Sequence, residues 1–308
     1  MSQGPGRLAG RELQQCVCPA CRGPARQRGL KLGHVGFECI KCGSFRFERQ
    51  TGLPQEDAVS YTERYRDSCF QVEPAAAGAL SALVRSMAPY RQTGRWLDVG
   101  FGEGGLLLTA AASGWSCYGV ELATAALEFG GRQGWVVAND ASSDPRFPES
   151  TFDVVSMIEL LEHVFDPDAL LALAVAKLRP GGCLYVTTPN AESLNFRLLG
   201  LDWSVMAPPE HCTVWTRRGL RAAIRRANLS PQRLATEGLN PVEIVDHLKH
   251  LGRPGRSAIP AAGRNQAAFA LNSTFAKSPM RRLVKRGANL LLSWMGLGDT
   301  LKLWAQRG

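Results

Sequence analysis

The stretch Trp96-Leu97-Asp98-Val99-Gly100-Phe101-Gly102-Glu103-Gly104-Gly105 decides the fold. Trp96–Val99 reads as a short buried strand, and Leu106–Ala112 behind it as an apolar helix. The glycines between them form a turn that lets backbone approach a nucleotide closely, with a helix N-terminus behind it that favours negative charge. Gly100, Gly102 and Gly105 satisfy G-x-G-x-x-G, a dinucleotide fingerprint. Asp98 argues for a different ligand. A carboxylate at the strand end repels a pyrophosphate and attracts a cation. S-adenosylmethionine carries a sulfonium and an ammonium, and its one carboxylate still finds the backbone N–H groups.

Outward from this turn the pattern alternates. Strands are predicted at Trp96–Val99, Ser116–Val120, Trp135–Ala138, Phe152–Met157 and Cys183–Thr187. Helices are predicted at Gly105–Ser113, Ala123–Gly130 and Asp166–Leu178, with another, Ala75–Met87, in front. Leu178-Arg179-Pro180-Gly181-Gly182 reads as a turn feeding the fifth strand. Arg217–Ala227 reads as a helix, Arg233–Thr236 as a short strand and Asp299–Ala305 as the final strand. The alternation predicts an α/β, doubly wound, Rossmann-like fold with a mostly parallel seven-stranded sheet.

Four of the nine cysteines stand in two C-x-x-C pairs, Cys18-Pro19-Ala20-Cys21 and Cys39-Ile40-Lys41-Cys42, with 17 residues between them. Two such knuckles at this spacing hold a tetrahedral zinc ion. Four thiolates leave no open coordination position, so a structural metal is expected. Such an ion supplies roughly 10–16 kcal/mol of apparent folding energy to a module too small for its own core. Cys16 and His34 are substitute ligands without the paired spacing. Residues 1–11 read as a disordered tail, 12–50 as the zinc ribbon, and 51–93 as a helical bridge and cofactor cap, in which Tyr61 and Tyr65 either cover the cofactor or simply pack as an i, i+4 aromatic pair. Residues 94–308 form the sheet domain, with 240–297 as an irregular helical insertion before the last strand.

A chain of 308 residues suffices for one sizeable core plus a small appendage. Lys and Arg number 36 against 27 Asp and Glu, a formal charge of +9. That charge admits nucleic acid, a membrane surface or an acidic substrate as partner, and equally serves solubility. No apolar run reaches the ~18 residues of a transmembrane segment. The start, MSQGPGRLAGRELQQ, lacks an apolar signal core, so a cytoplasmic protein is expected. The basic stretch Met280–Trp294 is either an ordinary amphipathic helix or a peripheral membrane contact.

Downstream motifs choose the cofactor. Glu121 ends the second strand, 21 residues after Gly100, where a carboxylate accepts ribose hydroxyls. The third strand ends in Ala138-Asn139-Asp140-Ala141, where Asp140 either receives an adenine amino group or is a plain turn residue. Phe152-Asp153-Val154-Val155, Glu159-Leu160-Leu161-Glu162-His163 and Leu178-Arg179-Pro180-Gly181-Gly182 follow in order. In this combination the chain resembles the class I S-adenosylmethionine-dependent methyltransferases. Within them it is most similar to the branch of ubiquinone-pathway O-methyltransferases and sugar or natural-product methyltransferases. The resemblance covers roughly residues 94–236 and the tail Gly298–Ala305, and the ribbon is similar to that of one subgroup. It implies that Asp98, Gly100, Gly102 and Gly104 line the methionine end of the cofactor. It further implies that Glu121 holds the ribose, that Asp140 and Ala141 hold the adenine, and that Glu159 borders the same pocket.

Glu159, Glu162 and His163 stand at i, i+3 and i+4, a spacing that shares one face of a helix. That face opens at the carboxyl edge of the sheet, where ligands bind in such folds. Pro208-Pro209-Glu210-His211 reads as a turn over the same cleft, and Thr187-Thr188-Pro189-Asn190 as its border. Three readings stay open. In the first, His163 or His211, with Glu162, removes a hydroxyl proton as a general base. In the second, Glu159, Glu162, His163 and His211 bind a divalent ion such as Mg²⁺ or Mn²⁺ that acidifies the hydroxyl, resembling metal-assisted O-methylation. In the third, the carboxylates shape the cofactor pocket and the histidines merely pack. The absence of an N/D-P-P-Y motif after strand four favours oxygen over nitrogen as acceptor. The expected acceptor is a small molecule: a sugar, a glycan intermediate or a secondary metabolite. The alternative is RNA, docked through Arg22, Arg26, Arg28 and Lys31 of the ribbon.

Overall fold

The computed structural model describes residues 17–48, 70–249, 287 and 290–308. Cys16, Tyr61, Tyr65 and most of Met280–Trp294 lie outside these residues. Three short strands open the chain: β1 (Ala25–Lys31), β2 (His34–Cys39) and β3 (Phe45–Phe47), an antiparallel meander. Helix α1 (Pro74–Ser86) then leads into β4 (Arg95–Val99), the strand of the glycine turn. The next elements alternate: α2 (Gly105–Ala112), β5 (Ser116–Val120), α3 (Thr124–Arg132), β6 (Val136–Ala138), β7 (Phe152–Ile158), α4 (Pro167–Lys177) and β8 (Leu178–Pro189). After them come α5 (Leu194–Leu199), β9 (Thr213–Val214), α6 (Arg217–Arg226), β10 (Leu229–Glu237), α7 (Pro241–Lys249) and β11 (Thr300–Arg307).

Seven strands form one sheet in the order β10-β11-β8-β7-β4-β5-β6. Strands β4 to β8 pair in parallel, and β11 inserts antiparallel between β8 and β10. Both faces are covered, so β7 has no polar-out alternation: Val154, Val155 and Met157 are all fully buried. The strand order reverses between β4 and β7, and ligands bind beyond the carboxyl ends of strands at such a switch point.

One expectation is revised. Pro180-Gly181-Gly182 is not a turn before the fifth strand but a bulge inside it. Phe152 pairs with Leu178 and Val154 with Cys183, so residues 179–182 face Asp153 alone. The reason is a buried ion pair. Arg179 Nε donates to Asp153 Oδ1 at 2.6 Å, while the backbone N–H groups of Gln92 and Gly94 donate to Oδ2 at 2.9 and 2.7 Å. The guanidinium also donates to the carbonyls of Tyr90 and Pro180. Each charge is therefore satisfied on all sides, which a buried pair requires. The F-D-V-V and L-R-P-G-G motifs thus staple the amino ends of β7 and β8 to the loop before β4.

The cysteine ribbon is not a separate bead. Strand β3 pairs with β9, so the four-stranded ribbon sheet takes its last strand from residues 213–214. Its knuckles pack on α6, where Cys18, Ala20, Cys39 and Cys42 share a buried cluster with Leu220, Ala223 and Ile224. Arg226 donates to the carbonyls of Ala20 and Pro19 at 2.7 and 2.9 Å and pairs with Asp168 at 2.6 Å. Gly219 makes the close approach: a Cβ there would lie 2.1 Å from Ser44 Oγ and 3.0 Å from Ala20 Cβ. Helix propensity alone favours alanine at this site by about 1 kcal/mol. Steric overlap in a filled seam costs roughly 1–3 kcal/mol and wins. Gly219→Ala is expected to lower the midpoint of thermal unfolding; a raised midpoint would refute this packing.

Candidate functional site

Parallel pairing of β4, β5 and β6 brings the residues that follow them to one edge. Asp98 near the end of β4, Glu121 after β5 and Asp140 after β6 stand there in sequence. Gly100, Gly102 and Gly104 carry φ values of 72°, 53° and 75°, the left-handed region that admits glycine at little cost. This turn is closed by Glu121, whose Oε2 accepts the Gly102 N–H at 2.9 Å and whose Oε1 accepts that of Leu122 at 2.7 Å. A third donor, Ala123 N, reaches Oε1 at 3.3 Å. A carboxylate has about four lone-pair positions. Glu121 is thus fixed in orientation and keeps acceptor capacity for a hydroxyl.

Asp98 is 2% exposed and accepts a hydrogen bond from Ser156 Oγ at 2.5 Å. Trp96 Nε1 donates to the same Ser156 oxygen at 2.9 Å. Burial pushes the Asp98 carboxyl up to about 7; the Ser156 bond opposes this, and the charge of Glu121 adds to it. Ser156 was not read as a site residue. Its signal was a lone hydroxyl in the apolar run Val154-Val155-Ser156-Met157-Ile158. Asp140 is exposed and turns back on Ser142, accepting its hydroxyl at 2.6 Å and its N–H at 2.9 Å, which together lower its pKa, the hydroxyl first; Ala141 beside it is fully buried.

The segment after β7 runs over the glycine turn, with Leu160 Cδ1 at 3.1 Å from where a Gly100 Cβ would sit. It is not a regular helix. Glu159 takes a left-handed φ of 49°, and only Leu161–His163 form a single 3₁₀ turn. Glu159 N donates to Thr187 O at 3.0 Å, which holds the bend at the strand end. Glu162 lies beyond the bend, 1% exposed, and accepts from Thr188 Oγ1 at 2.9 Å. Burial first, and the Glu159 charge second, raise the Glu162 carboxyl well above the usual range.

His211 arrives from 48 residues further on. Its ring lies 4.8 Å from that of His163, edge-on at 77°. His163 Nδ1 contacts Glu210 O at 3.0 Å, and His211 Nδ1 contacts Val205 O at 2.7 Å. A carbonyl only accepts, so each Nδ1 carries a proton, and in the neutral ring the lone pair is on Nε2. His163 Nε2 stands 4.0 Å from Glu162 Oε1. One ligand atom from each of Glu162, His163 and His211 lies within 4.8 Å of the others. Three of the four residues read as a divalent site thus converge, and Glu159 is not among them. Imidazoles anchored by Nδ1–H to carbonyls, beside a carboxyl, are a donor set that fits a divalent transition ion.

Beside this edge a cavity of about 500 Å³ opens between α1, β8, β10 and β11, lined by Leu83, Tyr185, Arg233, Lys302 and Trp304 among others. Lys302 on its wall pairs with Thr187 across the β8–β11 ladder, two residues before the end of β8; none of Glu159, Glu162, His163 and His211 lines the cavity.

The cysteine pairs converge as their spacing predicts. Cys18 and Cys42 Sγ lie 3.7 Å apart and Cys21 and Cys39 Sγ 3.4 Å apart, with all four within 4.8 Å of one another. A tetrahedron with zinc–sulfur bonds of ~2.3 Å has edges of about 3.8 Å, so the four sulfurs fit the ion. Cys42 N also donates to Cys39 Sγ at 3.4 Å, as a metal knuckle does. His34 is buried but outside this group. Three of the four cations read as an RNA-docking face have carboxylate partners: Arg22 pairs with Asp168, and Arg26 and Arg28 share Glu38 at 3.3 and 2.9 Å. Among the described residues no helix is long and apolar enough to cross a membrane.

A methyltransferase-domain family model matches residues 73–234, more than half of the chain. The chain belongs to the class I S-adenosylmethionine-dependent methyltransferases. This methyltransferase is similar to the ubiquinone biosynthesis O-methyltransferase of Marinobacter nauticus, 26% identical over 170 residues, 51% of this chain and 63% of that protein. The enzyme of the same name from Idiomarina loihiensis is 35% identical over 132 residues, 40% of this chain and 51% of that one. The match therefore spans about half to two thirds of those relatives. Among solved structures, the geranyl diphosphate C-methyltransferase of Streptomyces coelicolor superposes with a TM-score of 0.49 at 16% identity, over 75% of this chain and 79% of that one.

Proposed function

We propose that this methyltransferase transfers the methyl group of S-adenosylmethionine to a hydroxyl oxygen of a small molecule: a sugar, a glycan intermediate or a secondary metabolite. The observation that carries the proposal is the convergence of Glu162, His163 and His211 beside the glycine turn. A hydroxyl must lose its proton as it is methylated. The cluster offers two Nε2 lone pairs and a buried carboxyl to receive or displace that proton. The O-methyltransferases among the relatives support oxygen as the acceptor atom.

In this reading Asp98 faces the positive methionine end of the cofactor, the left-handed glycines let it approach, and Glu121 takes the ribose. Asp140 and Ala141 border the adenine, and Glu159 stands between donor and acceptor. The cavity beside Tyr185 and Trp304 seats the body of the acceptor; its size suits a small molecule. Zinc at Cys18, Cys21, Cys39 and Cys42 is structural. Glu162, His163 and His211 would hold a divalent ion, whose charge lowers the pKa of a bound hydroxyl.

Incubating the chain with labelled S-adenosylmethionine and a panel of hydroxylated acceptors tests the function; label in an N- or C-methyl product refutes the oxygen assignment. For the ion, chelation is expected to stop turnover, and added Mn²⁺ or Mg²⁺ to restore it, with ribbon zinc shown to stay bound. Turnover that survives chelation assigns the proton to an imidazole alone.

A further inference from the structure

The cysteine centre and the reaction centre are joined by a short chain of hydrogen bonds. Thr216 Oγ1 donates to Cys42 O at 2.7 Å, and Thr216 N donates to Ser44 Oγ at 3.1 Å. Strand β3 pairs Phe45 with Val214 and Arg46 with Thr213, and Phe47 N donates to Cys212 O at 2.9 Å. On its other side Cys212 N donates to Glu162 O at 2.6 Å. The residues just after His211 are therefore gripped between the ribbon and Glu162.

The segment cannot hold itself in place. Strand β9 has two residues, and its ladder partner in the sheet is β3. Trp215 is bridged to Asn190 of the sheet domain, which anchors the far end of the segment. The near end, Cys212–Val214, is held by β3 on one side and by Glu162 O on the other, while His211 itself is also tied by its N–H to Ala207 O at 3.0 Å and by Nδ1 to Val205 O at 2.7 Å. In turn, β3 follows directly on the Cys39–Cys42 knuckle, where a bound metal would add its binding energy to the folding of the module. Arg22 of the ribbon pairs with Asp168, and Arg226 of α6 donates to the ribbon carbonyls of Ala20 and Pro19 at 2.7 and 2.9 Å, so the ribbon is tied to the sheet domain on this side.

We propose that the ribbon is a positioning element for the reaction centre, with Thr216 as its positioning residue. Metal at the four cysteines holds β3, β3 holds β9, and β9 holds His211 against Glu162 and His163. The inference rests on reading that cluster as the reaction centre, so its test reads the position of His211 and not turnover. A misplacement of about 1 Å would be felt in turnover as a loss of order 10²-fold.

The test uses the full chain with ¹⁵N-labelled histidine, zinc-loaded and then stripped by chelation, followed by hydrogen exchange and the His211 Nδ1–H resonance. On stripping, residues 25–47 and 211–214 are expected to lose protection together, by about tenfold or more. The Nδ1–H signal should be lost while calorimetric affinity for S-adenosylmethionine stays unchanged. Loss of protection in the ribbon alone, with 211–214 and the His211 signal intact, overturns the proposal. If stripping also opens β4, the zinc-loaded Thr216→Val and Thr216→Ser variants decide. Valine is expected to weaken the His211 signal and serine to restore it; identical behaviour of the two variants overturns the proposal.

Discussion

Asp98→Asn is expected to abolish useful binding of S-adenosylmethionine while leaving the fold intact. The asparagine keeps an oxygen for the Ser156 hydroxyl, so the local network survives. What it loses is the charge. Breaking a buried charge pair costs about 3–5 kcal/mol, or some 10²–10⁴-fold in affinity. The wild type carries a second signature. Its Asp98 carboxyl is raised to about 7, mainly by burial. A cationic ligand favours the ionised form, so binding at lower pH must release a proton. Affinity should then fall by up to about tenfold for each pH unit below 7 and level off above it. Without ligand the sign is opposite for folding: this raised acid weakens the protein as pH climbs from its ordinary 3.8 towards 7. Calorimetry in buffers of different ionisation enthalpy measures the released proton, and Asp98→Asn should release none from this site. Unchanged affinity in the variant would remove Asp98 from the cofactor pocket.

Glu162→Gln is expected to cut turnover by about 10²–10⁴-fold with cofactor affinity preserved. Glutamine fills the same volume and still offers an oxygen to Thr188 Oγ1, so packing is not the variable. It cannot ionise or neutralise a cation. Burial and the Glu159 charge hold Glu162 protonated well above the usual carboxylate range. Wild-type turnover should therefore rise with pH as this group ionises, and the variant should lose that limb of the profile. Steady-state kinetics alongside calorimetry separates the outcomes. If affinity and turnover fall together, Glu162 belongs to the cofactor pocket and not to the acceptor.

Legibility from the sequence followed the range of the interactions. Strand β5 appears at the predicted Ser116–Val120, and the glycine turn takes the left-handed angles its residues imply. These features depend on apolar runs and glycine placement over a few residues. The Pro-Gly-Gly bulge in β8 was misread as a turn, because the buried partner that straightens it, Asp153, lies 26 residues back. Ser156 was missed because a single hydroxyl in a strand has no local pattern. For Glu159, Glu162 and His163 the spacing suggested a shared helical face, whereas a left-handed Glu159 breaks that helix.

By itself, then, the sequence determined the alternating α/β order, the paired cysteine knuckles and the acidic residues at the ends of the first strands. All are written in neighbouring residues, whose backbone preferences and spacing act locally. Only the tertiary structure decided that His211 meets His163, that Ser44 meets Thr216, and that β3 completes its sheet with β9. Those contacts join residues 48 to about 170 positions apart. No local preference specifies them; they form because the packed sheet and α6 leave the chain one way to bury its apolar faces and pair its backbone.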